Sequence, residues 1–437
     1  MVFSTALSGS VTCQVPPPTC ESTNFFVDFV VDGKDLIDAL DRWRSPDIPS
    51  PPDFNCDGIV DATDLFVFQG DWHQTTGLID CEGTFLIDDS SDLEALRGCS
   101  GLTGDLTIQN SDEDLDLTAL RHLTFIDGNL RIQKNSALTS IEGLSGLSEV
   151  TGNLVIWGNE SLESLEGLSA LISVGGNCQI GVCHFSGCDG NPSLMSLTGL
   201  ENLIEVGGEF HVGDNDALTN LVGMEHLISV GGRLAIGHNA GLLTLNGLSG
   251  LETVGGTLFI DVNDSLVSMD GLQNLERVEG RFEVRRNSSL VTLDGFEGLQ
   301  FIGLNLEIRG NPLLKSLSAL SNLIHVGEEV LVSDHPSLLS LGGLQGLTES
   351  GRNLEISENP QLTSLDGLQN FMTVGGELRI IQNESLTNLN ALKKLTTVGS
   401  SVIQNNQTLD CSTEDLPFFP VNISSGNGVD CPTEKGP

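Results

Sequence analysis

The chain reads as a mainly β protein, a parallel β-helix or leucine-rich solenoid of about 14 coils with a small α-helical module before it. Three observations point there. A 24-residue motif, V-G-G-x-L-x-I-x-x-N-x-x-L-x-x-L-x-G-L-x-x-L, recurs through most of the chain. Its apolar clusters are only two to four residues long, too short for amphipathic helices. Its clearest cluster alternates, in Asn153-Leu154-Val155-Ile156-Trp157, with Leu154 and Ile156 expected inward and their neighbours outward.

The repeat fixes the coils in order. Its strand residue falls at Ile87, Ile108, Ile132, Ile156, Ile180, Val212, Ile236, Ile260, Val284, Ile308, Val332, Ile356, Ile380 and Ile403. Most spacings are 24, with 21 and 23 at the two ends and 32 between Ile180 and Val212. One repeat is therefore one coil, and coils stacked at about 4.8 Å bury their Leu, Ile and Val against each other. A second column, Asn135, Asn159, Asn191, Asn215, Asn239, Asn263, Asn287, Asn311, Asn359 and Asn383, marks a coil corner. A carboxamide there bonds backbone groups of its own coil and the next, so the column is expected to form a ladder. His335 takes the position once, as a hydrogen-bonding corner residue.

Composition agrees with this architecture and narrows the function. The chain has 437 residues, too many for one ordinary compact domain unless it is a repeat array. Lys and Arg number 19 against 60 Asp and Glu, a formal net charge of −41. A phosphate partner needs a basic face, so direct nucleic-acid binding is not expected, nor is an anionic membrane surface. Aromatics are 5%, Tyr is absent and Gly numbers 51, which suits short strands and tight turns. No apolar run has the length of a membrane span. Ten cysteines, several at loop-closing distances, suit an oxidising, extracellular or cell-surface setting. The first residues, MVFSTALSGSVTC, show no basic n-region and no apolar h-region, so no intact export signal is read there.

These repeats resemble the receptor L domain, the ligand-binding lobe of insulin-type and epidermal-growth-factor-type receptors, over residues 81–411. The start is similar too: Cys81-Glu82-Gly83-Thr84, then Cys99 and Gly104-Asp105-Leu106-Thr107-Ile108. The resemblance implies a right-handed leucine-rich β-helix and a Cys81–Cys99 disulfide across the first coil. The chain departs from the family in length and lacks its cysteine-rich spacer modules, so hormone binding is not implied.

Upstream lies the sharpest motif. Asp53, Asn55, Asp57, Asp61 and Asp64 stand at positions 1, 3, 5, 9 and 12 of an EF-hand-type loop. Ile59 at position 7 would give its carbonyl, and Gly58 allows the turn. Such a set of hard oxygens fits Ca²⁺, and the last ligand is Asp rather than the usual Glu. Asp32, Asp35 and Trp43 repeat Asp61, Asp64 and Trp72 at a distance of 29 residues. This duplication resembles dockerin, the paired Ca²⁺-binding module, over residues 22–77. In its first copy Phe26 replaces a ligand and Phe29 the Gly. The resemblance implies one good calcium site, one poor one, and a cohesin-like partner that the degraded copy puts in question. The expected layout is a segment 1–21, this module 22–77, a solenoid 78–410 and a C-terminal cap and tail 411–437.

Weaker signals complete the reading. Cys178, Cys183, Cys188 and His184 sit at the 32-residue interval. They read either as a zinc cluster or as a buried thiol at Cys178 beside a Cys183–Cys188 loop disulfide. Cys411–Cys431 is expected to staple the C-terminal cap. Arg277, Arg281, Glu283 and Arg285 in one coil and Glu307 and Arg309 in the next form a charged patch. Stacking sets Glu against Glu and Arg against Arg, so either diagonal Arg–Glu pairs form or an acidic ligand bridges the arginines. Sequons fall at Asn159, Asn263, Asn287, Asn383, Asn406 and Asn422, mostly on the ladder, where burial would block glycosylation.

The outward column Val155, Gln179, His211, Ala235, Phe259, Glu283, Glu307, Leu331, Glu355, Arg379 is irregular beside a repeating interior. That pattern favours a non-enzymatic recognition or adhesion protein, facing a protein or polysaccharide ligand, with Ca²⁺ stabilising the first module. Two alternatives are a polysaccharide-active β-helix enzyme and a scaffold rod attached through the dockerin-like module. The enzyme would need clustered carboxylates in a groove, and only Glu283 and Glu307 approach that. An ice-binding face would need a Thr-rich column, which is absent.

Overall fold

Each coil runs through a strand, a left-handed corner, a turn and a second short strand. The computed structural model describes residues 79–184, 187–410 and 426–427, with backbone alone for 182–184 and 187–189. The chain divides into two compact units, Met1–Asp80 with Gly98–Ser100, and Cys81–Arg97 with Gly101–Pro437. In the first, the Ile79 amide donates to the Gly98 carbonyl at 3.1 Å, and the Ser100 hydroxyl bonds Asp80 at 3.1 Å. The second holds the solenoid.

The main sheet stacks one parallel strand per coil, from Phe85–Ile87 through Leu154–Trp157, Leu234–Gly237 and Leu306–Arg309 to Thr397–Gln404. All the expected column residues lie on these strands. Registers keep the repeat in line: Leu234 faces Leu258 and Ile236 faces Ile260. The alternation is as read, with Leu154 and Ile156 fully buried and Val155 and Trp157 half-buried.

A second sheet is built from two-residue strands such as Phe125–Ile126, Ser229–Val230 and Arg277–Val278, whose Ile or Val points inward. In the last two coils the two faces merge into the longer strands Thr373–Ile381 and Thr397–Gln404. The remaining side is closed by 3₁₀ turns, among them Glu142–Leu144, Glu166–Leu168 and Ser318–Leu320. The repeat places Gly at this turn in most coils, with Ala119, Ala319 and Ala391 in others. Gly247 has φ +118°, and a Cβ on it would meet the Leu221 carbonyl oxygen of the preceding coil at 1.8 Å.

The Asn column is the ladder expected. Asn239 shows the unit: its amide donates to Asn263 Oδ1 at 3.2 Å, and its Nδ2 donates to the Val212 carbonyl at 3.0 Å. The same bonds recur at Asn135, Asn159, Asn191, Asn263, Asn287, Asn359 and Asn383. Ser111 receives the first rung through its amide, and Asn406 and Asn427 extend the ladder beyond the column read from the sequence. The ladder also holds the corner before it in the left-handed region. Asp214, His238, Val262, Arg286 and Glu358 all sit there with φ between 50° and 59°. For Val262, a β-branched residue, that is a strained conformation.

His335 keeps the ladder intact by imitating a carboxamide. Its Nδ1 lies 3.3 Å from the Asn311 amide and its Nε2 lies 3.0 Å from the Ile308 carbonyl. Nδ1 accepts and Nε2 donates when the imidazole is neutral with its proton on Nε2. The side chain is fully buried, and that burial pushes its pKa below the usual imidazole value.

Candidate binding face

The outward column of the main sheet stacks in register from Val155 to Arg379. The backbone groups of these strands are taken up by neighbouring coils, so only side chains are offered to a partner. Glu283 stands opposite Glu307, and Arg285 opposite Arg309. Diagonal pairing relieves the like charges in part. Arg285 reaches Glu283 and Glu307, each at 3.5 Å, and Arg281 reaches Glu283 at 3.7 Å. Arg309 is exposed and makes no ion pair.

Arg285 is also held by an aromatic ring. Its guanidinium lies 4.6 Å from the Phe259 centroid, and that of Arg233 lies 4.3 Å from it. These are cation–π distances. Phe259 comes from the preceding coil and Arg233 from the one before that. The arrangement is not visible in the sequence, because it joins residues 26 apart, twice over, across three coils.

One expected member of the patch lies elsewhere. Arg277 belongs to the second sheet, where it bonds Glu279 at 2.9 Å and lies 4.0 Å from the Phe301 centroid. The four-residue interval to Arg281 crosses the turn between the two faces, which the grouping by sequence ignored. Arg286 occupies the corner and is ion-paired to the buried Asp261, which holds its guanidinium above the usual pKa. The patch on the main face is therefore Arg281, Glu283, Arg285, Glu307 and Arg309, with Arg233 beside it.

A second, outward ladder escaped the sequence reading. Asp105 Oδ1 accepts from the Asn129 amide at 2.9 Å, Asn129 Oδ1 from Asn153 at 2.9 Å, and Asn153 Oδ1 from Asn177 at 2.7 Å. Asp105 also pairs with Arg131 at 2.9 Å. The Asn129 amide holds the Asp105 carboxyl below its usual pKa, with Arg131 adding to the effect.

The cysteine cluster resolves toward its plain reading at one position. Cys178 is free, fully buried and inward, and burial pushes its thiol pKa up to about 12. Such a thiol is not a ready metal ligand. The insertion forms an antiparallel pair, Val182–His184 with Gly187–Asp189, that sets Cys183 directly opposite Cys188 along the backbone. Cys81 and Cys99 are both disulfide-bonded. The calcium loop Asp53, Asn55, Asp57, Ile59, Asp61 and Asp64, and the pair Cys411 and Cys431, lie outside the described residues.

On the 3₁₀ side an open cavity of about 480 Å³ is lined by Thr118, Arg121, Glu142, Glu166, Ser169 and Glu201 among others. Its lining mixes hydroxyls, carboxylates and the Arg121 guanidinium with apolar surface, without the aromatic and aliphatic walls usual for small-molecule sites. Among the described residues, Asp88, Asp89 and Asp92 are the one acidic trio with metal-compatible spacing. No helix among them is long and apolar enough to cross a membrane.

No protein-family model and no curated protein matches this chain. Among solved structures it is similar to an internalin from Listeria monocytogenes, with 14% identity, a TM-score of 0.32, and 74% of this chain and 89% of that one covered. It is also similar to a TLR13–ssRNA13 complex, with 15% identity, a TM-score of 0.20, and 74% and 71% covered. Scores this low carry no argument, so the architecture rests on the strands, registers and ladders above.

Proposed function

We propose that this chain is an extracellular or cell-surface recognition protein that presents the main β-face to a saccharide or protein ligand. One observation carries the reading. Along a single register the inward residues stay apolar, Leu, Ile and Val in most coils with Cys178, Phe210 and Phe282 in a few, while the outward ones run through Gln179, His211, Ala235, Phe259, Glu283 and Leu331. A scaffold that repeats under a surface that does not is free to specialise that surface. A non-enzymatic role follows from the same face. Glu283 and Glu307, the candidate carboxylate pair, both sit in ion pairs with Arg285, which opposes a general acid–base role.

In this reading Ca²⁺ folds the module at 22–77 through Asp53, Asn55, Asp57, Ile59, Asp61 and Asp64. That module tethers the solenoid, with a cohesin-like protein as its partner class. The test is retention of the full chain on immobilised polysaccharides and cell-envelope fractions, with Ca²⁺ and with EDTA. Retention that survives EDTA and the Asp57→Ala change supports the face as the binding element. Retention abolished by both moves recognition to the calcium module. A chain retained by nothing would refute the proposal.

A further inference from the structure

The arginines of the charged patch pair loosely with their carboxylates. Arg131–Asp105 at 2.9 Å, Arg277–Glu279 at 2.9 Å and Arg379–Glu377 at 3.0 Å close to hydrogen-bond length, while the exposed Arg352–Glu328 pair stays at 3.7 Å. On the patch, Arg281 and Arg285 stop at 3.5–3.7 Å from their carboxylates, and Arg309 has none. The Arg285 Nε is buried without an acceptor. Glu283, whose side chain is only 10% exposed, makes no hydrogen bond. Two guanidinium groups thus stand opposite each other, at a coil spacing of about 4.8 Å, with most of their donors unused.

We propose that Arg285 and Arg309 form a subsite for the carboxylate of an acidic saccharide, a sugar ring bearing one carboxyl group. This rests on the recognition reading above and names its ligand class. The Phe259 ring, 4.6 Å from the Arg285 guanidinium, restrains that side chain as a pre-organised fork, and Arg309 supplies a second fork one coil on. Ser333, next in the same column, brings a hydroxyl beside Arg309, and Glu307 brings a carboxylate that accepts from sugar hydroxyls.

Two facts favour a saccharide over an acidic peptide. A peptide that adds as a strand needs free backbone groups, and on this face the coils already pair on both sides. A partner charged at every unit is repelled by a chain of net charge −41, whereas one isolated carboxylate meets a local field that fades within about 10 Å.

The probe is methyl β-glucuronide titrated into the full chain and followed by NMR or calorimetry, beside methyl β-glucoside and acetate. The glucuronide is expected to bind, and the neutral glucoside and acetate to bind at least about tenfold more weakly. Arg309 is exposed, so Arg309→Gln leaves the unfolding midpoint in place while weakening glucuronide binding about tenfold or more. Arg309→Lys keeps the charge but loses the fork, and is expected to fall between the two. Arg352→Gln, on a remote exposed pair, leaves binding unchanged.

Glucuronide binding unaffected by Arg309→Gln would overturn the subsite, and acetate binding as tightly would overturn its saccharide character. Wild-type chain retained on the polysaccharide panel but blind to glucuronide overturns this inference alone. Glucuronide binding without retention on any panel member overturns the wider reading instead.

Discussion

The corner column and the outward column run side by side through the same coils, yet they behave oppositely. From Asn135 to Asn406 the corner holds one chemistry, and its one departure, His335, reproduces the same two hydrogen bonds. On the outward column neighbours such as Ala235, Phe259 and Glu283 share nothing but register. The corner residue is fully buried and must satisfy backbone groups of two coils, so almost no side chain fits. The outward residue satisfies no backbone group, so its chemistry is free to change. Stability thus resides in the interior and the ladder, and the outward column is left free to vary.

The largest effect that sharpens this contrast is expected in the interior. Phe282 is fully buried and meets Phe296 edge-on at 4.8 Å. Phe282→Ala is expected to cost about 3–5 kcal/mol in denaturant unfolding. Asn263→Ala follows, at about 2–3 kcal/mol, because the buried Asn239 amide and the Ile236 carbonyl lose their partner. Hydrogen exchange should then rise first in the coils around Asn239 and Asn263. Equal protection throughout would show that the ladder does not join coils.

His335 gives the comparison a pH axis. In the folded chain burial holds it below its usual pKa, and in the unfolded chain it titrates near about 6.5. Protonation therefore favours unfolding: the folded chain keeps its full stability above about pH 6.5 and loses some as pH falls below it. His335→Asn restores an uninterrupted Asn column, so this loss is expected to vanish. Unfolding midpoints of both chains at pH 7.5 and 5.5 check it.

Val262→Asn is expected to stabilise by about 1 kcal/mol, because Asn tolerates the left-handed corner that strains Val. The smallest effect belongs to the surface. Arg352 and Glu328 lie 3.7 Å apart and well exposed, so Arg352→Gln is expected to shift stability by less than about 0.5 kcal/mol.

Much of the solenoid was legible because each coil must bury the same residues in the same order. Leu154, Ile156 and Asn159 announce their roles by recurring at a fixed interval. The short second strands were not legible, since Phe125–Ile126 or Ser229–Val230 are too brief for a period to show. The corner conformation was hidden too. Glycine marks it at Gly158 and Gly310, but Val262, Arg286 and Glu358 carry no such sign, because the ladder imposes it from outside.

The charged patch was half legible. Register stacks Glu283 on Glu307 as expected, and the diagonal Arg285–Glu307 pair forms. Arg277 was misplaced because proximity in sequence says nothing about which face a turn has reached. The Phe259 contact with Arg233 and Arg285 needed the cross-coil register, and the outward Asp105–Asn177 ladder reads in sequence as ordinary turn residues.

The central claim, that the face binds and does not stabilise, is tested most directly by a chain with Gln179, Phe259 and Leu331 all replaced by Thr. Its retention would be measured on the matrix that holds the wild-type chain, with its unfolding midpoint as the control for folding. The account predicts a midpoint within a few degrees of wild type and loss of retention. Retention at the wild-type level by a normally folded variant would contradict it.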